Sequence, residues 1–366
     1  MDFAPHTSPA AIAELRARLL ATRWPAIAAD PEWSLGTDPE YLRELVAYWA
    51  DGFDWEAREA ELNKLPRSFV EVGGTGIHVI HSIADRADRA GPAPALLLLH
   101  GWPDSFWRYL KVIPLLAPDF DLVIPDMPGY GYSDIPATAL DSRQVAALYA
   151  ELMTKLGYER FFAAGGDIGS GVGQFLAVDQ PERVIALHRM SAGPPSPSVD
   201  ASQLTPEEQQ WLTGAARWLG AEGAYAAMHR TKPNTASFGL TDSPVGLAAW
   251  IVEKLRAWSD GGLSAYSRDD ILTNLSIYWF TGTIGSSMRM YHANALIPPE
   301  QYARRVEVPS GFSSFPGDIV RTPRAWLERA TNLVRYVEPP RGGHFAPYEV
   351  PELYAQELRD FFGPFV

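Results

Sequence analysis

The sequence contains no cysteine. That absence removes disulfides, cysteine-ligated zinc, iron–sulfur clusters and a thiol nucleophile together. It suits a reducing compartment. Positive charge is also short: 31 Lys and Arg stand against 44 Asp and Glu, a net charge of −13. That balance argues against a nucleic-acid surface or an anionic membrane as partner. The longest strongly apolar run is Ala95–Leu99, far below the roughly 20 residues of a bilayer span. The N-terminus, Met1-Asp2-Phe3-Ala4-Pro5-His6, has neither the basic nor the apolar region of a secretory signal. The expectation is a soluble, cytoplasmic protein. Internal repeats and low-complexity tracts are missing, as are the GxGxxG and GxxxxGK[ST] phosphate loops, so nucleotide binding is disfavoured. Aromatics are the abundant class, with 12 Trp, 15 Tyr and 16 Phe, and their placement matters below.

The chain's 366 residues allow two domains or one large fold with additions. Ser8-Pro9 is an N-cap followed by proline at the first helical position, and Ile12, Leu15 and Leu19 follow at helical spacing. A second helix is expected over Asp38–Ala50, with Leu42, Leu45, Val46 and Trp49 on one face. The alternating stretches 68–72 and 77–82, with Gly73-Gly74 between them, predict a β-hairpin. From Pro92 the pattern changes. Short apolar runs at 95–99, 120–126, 161–166 and 184–189 alternate with helical stretches at Ser105–Leu116, Ser142–Leu156 and Gly169–Gln180. Such alternation predicts a parallel sheet covered on both faces. The alternation stops at Ser191, where the proline-rich stretch 193–198 reads as a linker. Residues 200–300 are then almost wholly helical in pattern, including a helix begun by Ser243-Pro244. Strand signals return at 308–315 and 333–337. The expected division is therefore an N-terminal extension over 1–90, a first core part over 91–190, a helical insertion over 191–300 and a second core part over 301–366.

Three loops carry chemistry. Gly165-Gly166-Asp167-Ile168-Gly169 lies where a strand runs directly into a helix. It fits the nucleophile-elbow pattern, with Asp where esterases carry Ser. The plain alternative is a glycine-rich turn with Asp as helix N-cap. His100-Gly101-Trp102-Pro103 follows the first buried strand. In an elbow architecture that loop supplies one oxyanion-hole N–H, here from Trp102, and Ile168 supplies the other. His100, Pro103 and Trp107 are expected to line the substrate pocket. Arg341-Gly342-Gly343-His344-Phe345 follows the last strand and offers a base. The remaining histidines, His6, His78, His81, His188, His229 and His292, are expected to be surface or satisfied core residues. Asp318, after the strand near 311, fits the acid that orients His344. Thr322, before Pro323, is expected to cap the next helix and leave Asp318 free.

Together these loops resemble the epoxide hydrolases of the α/β-hydrolase superfamily, in particular the microsomal-type branch with an extended N-terminal region. The resemblance spans essentially the whole chain, including 22–25, 41–55, 100–107, 165–170, 231–235, 242–250, 278–284 and 341–346. It implies an α/β-hydrolase fold, a mostly parallel sheet with helices on both faces and a helical lid over 191–300. It implies Asp167 as nucleophile, Asp318 as acid, His344 as base, and Tyr225 and Tyr291 as the lid pair that activates the epoxide oxygen. From pattern alone, Tyr291 shares a helix face with Phe280, Ile284 and Met288, Tyr225 reads as a core aromatic, Tyr266 as exposed in a polar loop and Tyr278 as packing. The implied reaction converts an apolar organic epoxide and water into a vicinal diol through an Asp-alkyl ester. It needs no metal or organic cofactor. A homodimer stays open, as does the choice between detoxification and biosynthesis.

Three rival readings compete with this one. A haloalkane dehalogenase also uses Asp at the elbow and would draw a halide donor from Trp102, but the residue after the nucleophile is Ile168 and not Trp. A serine esterase is disfavoured because Ser170 lies beyond the elbow. A non-enzymatic binding module predicts loss of at least one of the five site residues, and all are present.

Overall fold

The computed structural model describes residues 3–85, 93–192 and 201–366; the expected linker at 193–198 lies outside them. Eight strands form one sheet: β1 (Arg67–Val72), β2 (Thr75–Ser82), β3 (Ala95–Leu99), β4 (Asp121–Pro125), β5 (Phe161–Gly165), β6 (Val184–Arg189), β7 (Val306–Ser313) and β8 (Thr331–Val337). Their order is β1-β2-β4-β3-β5-β6-β7-β8. The pairs β1–β2 and β2–β4 are antiparallel and the rest are parallel. Strands β3, β4 and β5 are buried at every position. No alternation survives in them, because both faces are covered. The hairpin is present as expected, and it joins the central sheet through β4, so residues 67–82 are continuous with the core.

The helices at Pro9–Leu20 and Pro39–Asp51 start where their caps predict, at Ser8 and Asp38. The helices Ser142–Lys155, Ile168–Asp179 and Pro244–Ala257 likewise match their sequence patterns. The expected helix over Ser105–Leu116 is instead a 3-10 turn, Phe106–Tyr109, and a single turn, Ile113–Leu116. Pro114 brings no N–H to a continuous ladder there. The helix after Asp318 runs Arg324–Ala330 with Pro323 at its N-cap and no side-chain cap, so Thr322 does not cap it. Phe280 and Tyr291 do not share one helix. Arg268–Thr281 ends at Gly282 (φ +66°) and a new helix, Ile284–Asn294, follows. No helix among the described residues is long and apolar enough to cross a membrane.

Candidate active site

The functional loops all leave the sheet at the C-terminal ends of parallel strands, β3, β5, β7 and β8, the edge where open α/β sheets build their sites. Asp167 sits between β5 and the helix Ile168–Asp179 with φ +52°. A non-glycine residue adopts this conformation only when its surroundings enforce it. Gly169 does the enforcing: a Cβ there would lie 2.2 Å from the Leu99 carbonyl oxygen. The helix therefore starts hard against β3 and lifts Asp167 above it. The helix N-terminus favours the carboxylate charge.

The Asp167 carboxylate is held unsymmetrically. Oδ1 accepts the Trp102 N–H at 2.8 Å, while Oδ2 lies 3.5 Å from Nε2 of His344. Burial opposes its charge, but His344 and the N–H groups of Trp102 and Ile168 outweigh burial and lower its pKa. His344 Nδ1 lies 2.8 Å from Asp318 Oδ1. Burial disfavours the imidazolium, yet Asp318 and Asp167 overcome it and raise His344 from 6.5 to about 9. Asp318 also accepts the Ile319 N–H and caps no helix.

Above the carboxylate lie Tyr225, in the helix Ala224–Thr231, and Tyr291, in Ile284–Asn294; these two helices pack together. Tyr225 stacks on Trp102, with centroids 5.3 Å apart and planes at 11°, and Tyr291 meets the same indole edge-on at 6.0 Å. Burial first, and the Asp167 charge among the further causes, raise both phenols above their ordinary value. Both phenols therefore keep their protons near neutral pH.

Trp102, Ile168, Asp167, Asp318, His344, Tyr225 and Tyr291 are thus brought together; the three expected lining residues make structural contacts of their own. His100 is fully buried, accepts the Met127 N–H at Nε2 and lies at Nδ1 3.0 Å from the Gly101 carbonyl. Its two nitrogens hold the loop. Pro103 follows a cis bond from Trp102 and accepts from Asn274 Nδ2. Trp107 stacks on Tyr348 (4.1 Å) and Tyr266 (6.1 Å) and donates to the Asp270 carbonyl, so its ring is engaged in packing behind the loop. Tyr266 is buried, not exposed. The 3-10 turn Gly262–Ala265 folds it inward, and its hydroxyl meets Ser259 Oγ at 2.7 Å. Tyr278 packs as expected and donates to the Asp104 carbonyl.

Two neighbours escaped the sequence reading. The Trp258 ring lies 5.3 Å from His344 and 5.2 Å from Tyr225. His229 meets Trp102 at 4.7 Å and Tyr291 at 4.9 Å, and accepts from Trp250 Nε1. Burial lowers His229 to about 3, so it is neutral. The signal for His229 was its position four residues after Tyr225, which puts both on one helix face.

A sequence profile described as "Epoxide hydrolase N terminus" matches residues 1–109, and one described as "alpha/beta hydrolase fold" matches 94–227. The chain is similar to a putative epoxide hydrolase of Stigmatella aurantiaca, 38% identical over 96% of this chain and 82% of that protein. It is also similar to epoxide hydrolase 1 of Sus scrofa, 33% identical over 99% of this chain and 88% of that one. Among solved structures, juvenile hormone epoxide hydrolase from Bombyx mori superposes with a TM-score of 0.90 at 30% identity, covering 99% of this chain and 94% of that chain. The Aspergillus niger epoxide hydrolase superposes at 0.89 and 28%, covering 100% and 96%.

Proposed function

The chain belongs to the epoxide hydrolases of the α/β-hydrolase superfamily, and from that premise we propose that Asp167, His344, Asp318, Tyr225 and Tyr291 carry out its reaction. The observation that carries the assignment is the asymmetry of the Asp167 carboxylate, with Oδ1 on the Trp102 N–H at 2.8 Å and Oδ2 facing His344 Nε2 at 3.5 Å. Oδ2 attacks one oxirane carbon and the carbon–oxygen bond opens. The departing oxygen takes the proton of Tyr225 or Tyr291, since a phenol can donate to a developing alkoxide. An alkyl ester on Asp167 results.

The same step prepares the second. While Asp167 is charged, His344 is protonated and cannot serve as a base. Esterification removes that charge, the imidazole pKa falls, and its proton passes back to the phenolate. Neutral His344, oriented by Asp318, then takes a proton from water. Hydroxide adds to Cγ of Asp167, and the oxyanion that forms at Oδ1 already has the Trp102 N–H in place, with the Ile168 N–H also at this carboxylate. The Cγ–Oδ2 bond breaks, the alkoxide leaves with the proton from His344, and the new carboxyl group returns a proton to the imidazole. The division into an N-terminal extension over 1–90, core parts over 91–190 and 301–366 and a lid over 191–300 belongs to the same reading, as do a cytoplasmic location and an apolar small-molecule substrate.

The test is to trap the ester. His344→Gln exposed to styrene oxide should carry a stoichiometric adduct on the peptide containing Asp167, detected by mass spectrometry. An unmodified peptide overturns the assignment. The dehalogenase reading draws on the buried, unpartnered Trp102 Nε1, but Ile168 supplies no second side-chain donor. Halide release from a haloalkane without diol from the epoxide would favour it.

A further inference from the structure

His344 stands on a loop with neither helix nor strand to satisfy its backbone, so each buried N–H there needs another acceptor. All four from Gly342 to Phe345 have one from outside the stretch. Gly342 donates to Asp260 Oδ2 at 2.8 Å. Gly343 donates to Glu349 Oε2 at 3.0 Å and Phe345 to Glu349 Oε1 at 2.8 Å. His344 itself donates to the Trp258 carbonyl at 2.8 Å. The Asp260 N–H donates to Glu349 Oε2 at 2.8 Å as well, which closes a ring of contacts. Trp258 caps the helix Pro244–Ala257, so two of the four acceptors come from the inserted helical block. The approach is tight: a Cβ on Gly343 would lie 2.6 Å from the Trp258 carbonyl oxygen.

We propose that Glu349 is a positioning residue which, with Asp260 and the Trp258 carbonyl, clamps the His344 loop to the end of the helix Pro244–Ala257. The base of the second step is thereby held by the same block that presents Tyr225 and Tyr291 for the first. The residue type fits the task. Two carboxylate oxygens accept three N–H groups here, whereas an amide offers one acceptor oxygen and two hydrogens of its own. Glutamine at 349 would set a donor against at least one donor and push the loop out of register with little change in side-chain volume.

The inference rests on the two-step reading above, and its signature is kinetic. His344 acts as a base only in the second step, so loosening its loop should slow ester hydrolysis far more than ester formation. Rapid-quench measurements with styrene oxide, scored on the Asp167 peptide, separate the two rates. In Glu349→Gln, formation should stay within about threefold of wild type and ester decay should slow by about 10- to 100-fold, the scale of a misplaced catalytic group. In the steady state kcat then falls more than kcat/KM. Asp260→Ala, which removes only the Gly342 acceptor, should slow decay less, and Asp260→Asn, which keeps an oxygen acceptor, should restore it. If Glu349→Gln does not fold, the Asp260 pair carries the same comparison. Parallel loss of both rates, or no change in decay, overturns the clamp. His344→Gln run alongside separates the two claims: an ester there with parallel losses in Glu349→Gln refutes the clamp alone, and no ester there refutes the role of Asp167.

Discussion

Each side chain at the centre of the site is held by contacts that also set its charge, and substitutions there divide by step. Asp167→Asn removes the nucleophilic oxygen while preserving shape; ester formation should vanish while the fold, followed by circular dichroism, stays. Tyr225→Phe and Tyr291→Phe each delete one proposed donor to the opening oxygen. Either should slow ester formation by about 10- to 100-fold, and both together by more, within the range of general-acid catalysis. Tyr266→Phe is the contrast, because its hydroxyl is engaged with Ser259 and its ring packs on Trp107. It should cost stability and leave ester formation near wild type. A larger loss from Tyr266→Phe than from the other two would reverse the assignment of the donors.

Secondary-structure elements explain what the sequence could and could not reveal. The apolar runs that became β3, β4 and β5 are legible because a strand buried on both faces has nowhere to place polar residues. The elbow is legible because only glycine tolerates the contact with Leu99. The pairing of Asp318 with His344 is legible because both loops follow strand patterns. The burial of Tyr266 is not legible, because polarity along a short loop says nothing about how that loop folds back. The break at Gly282 is not legible, because two helices in sequence carry the same apolar period as one. The clamp at Glu349 was invisible, since its partners are backbone groups that no side-chain pattern marks. The elbow itself can be tested at this scale. Gly169→Ala would drive a methyl group into the Leu99 and His100 carbonyls and push the helix Ile168–Asp179 away from β3. Overpacking of this kind costs about 1–3 kcal/mol, so the denaturation midpoint should drop, with loss of diol formation exceeding the loss of folded protein.

For the molecule as a whole, buried histidines tie folding to pH in opposite directions. His344 is raised to about 9 by its carboxylate neighbours against the effect of burial. A raised pKa gives stability that is complete below 6.5 and lost as pH climbs through 9. His188 and His229 are lowered to about 3 by burial and nearby cations. Their contribution is complete above 6.5 and lost as pH falls toward 3. Unfolding measured across pH 5–10 should therefore trace a dome. Its alkaline limb should carry on the order of 3 kcal/mol from His344 and should flatten in His344→Gln. An alkaline limb unchanged in that variant would mean that the imidazole is not held as a cation in the folded protein.

The unequal hold on the two Asp167 oxygens has a consequence for where atoms go. In the proposed reaction Oδ2 forms the ester and its bond to Cγ is the one that breaks, so this oxygen would depart in the diol and be replaced from water at every cycle. Oδ1, pinned by the Trp102 N–H, is never exchanged. In water enriched in oxygen-18, the first diol released should be unlabelled. After many cycles the Asp167 peptide should be heavier by a single label, and a second label would show that the carboxylate turns over in its cradle between rounds.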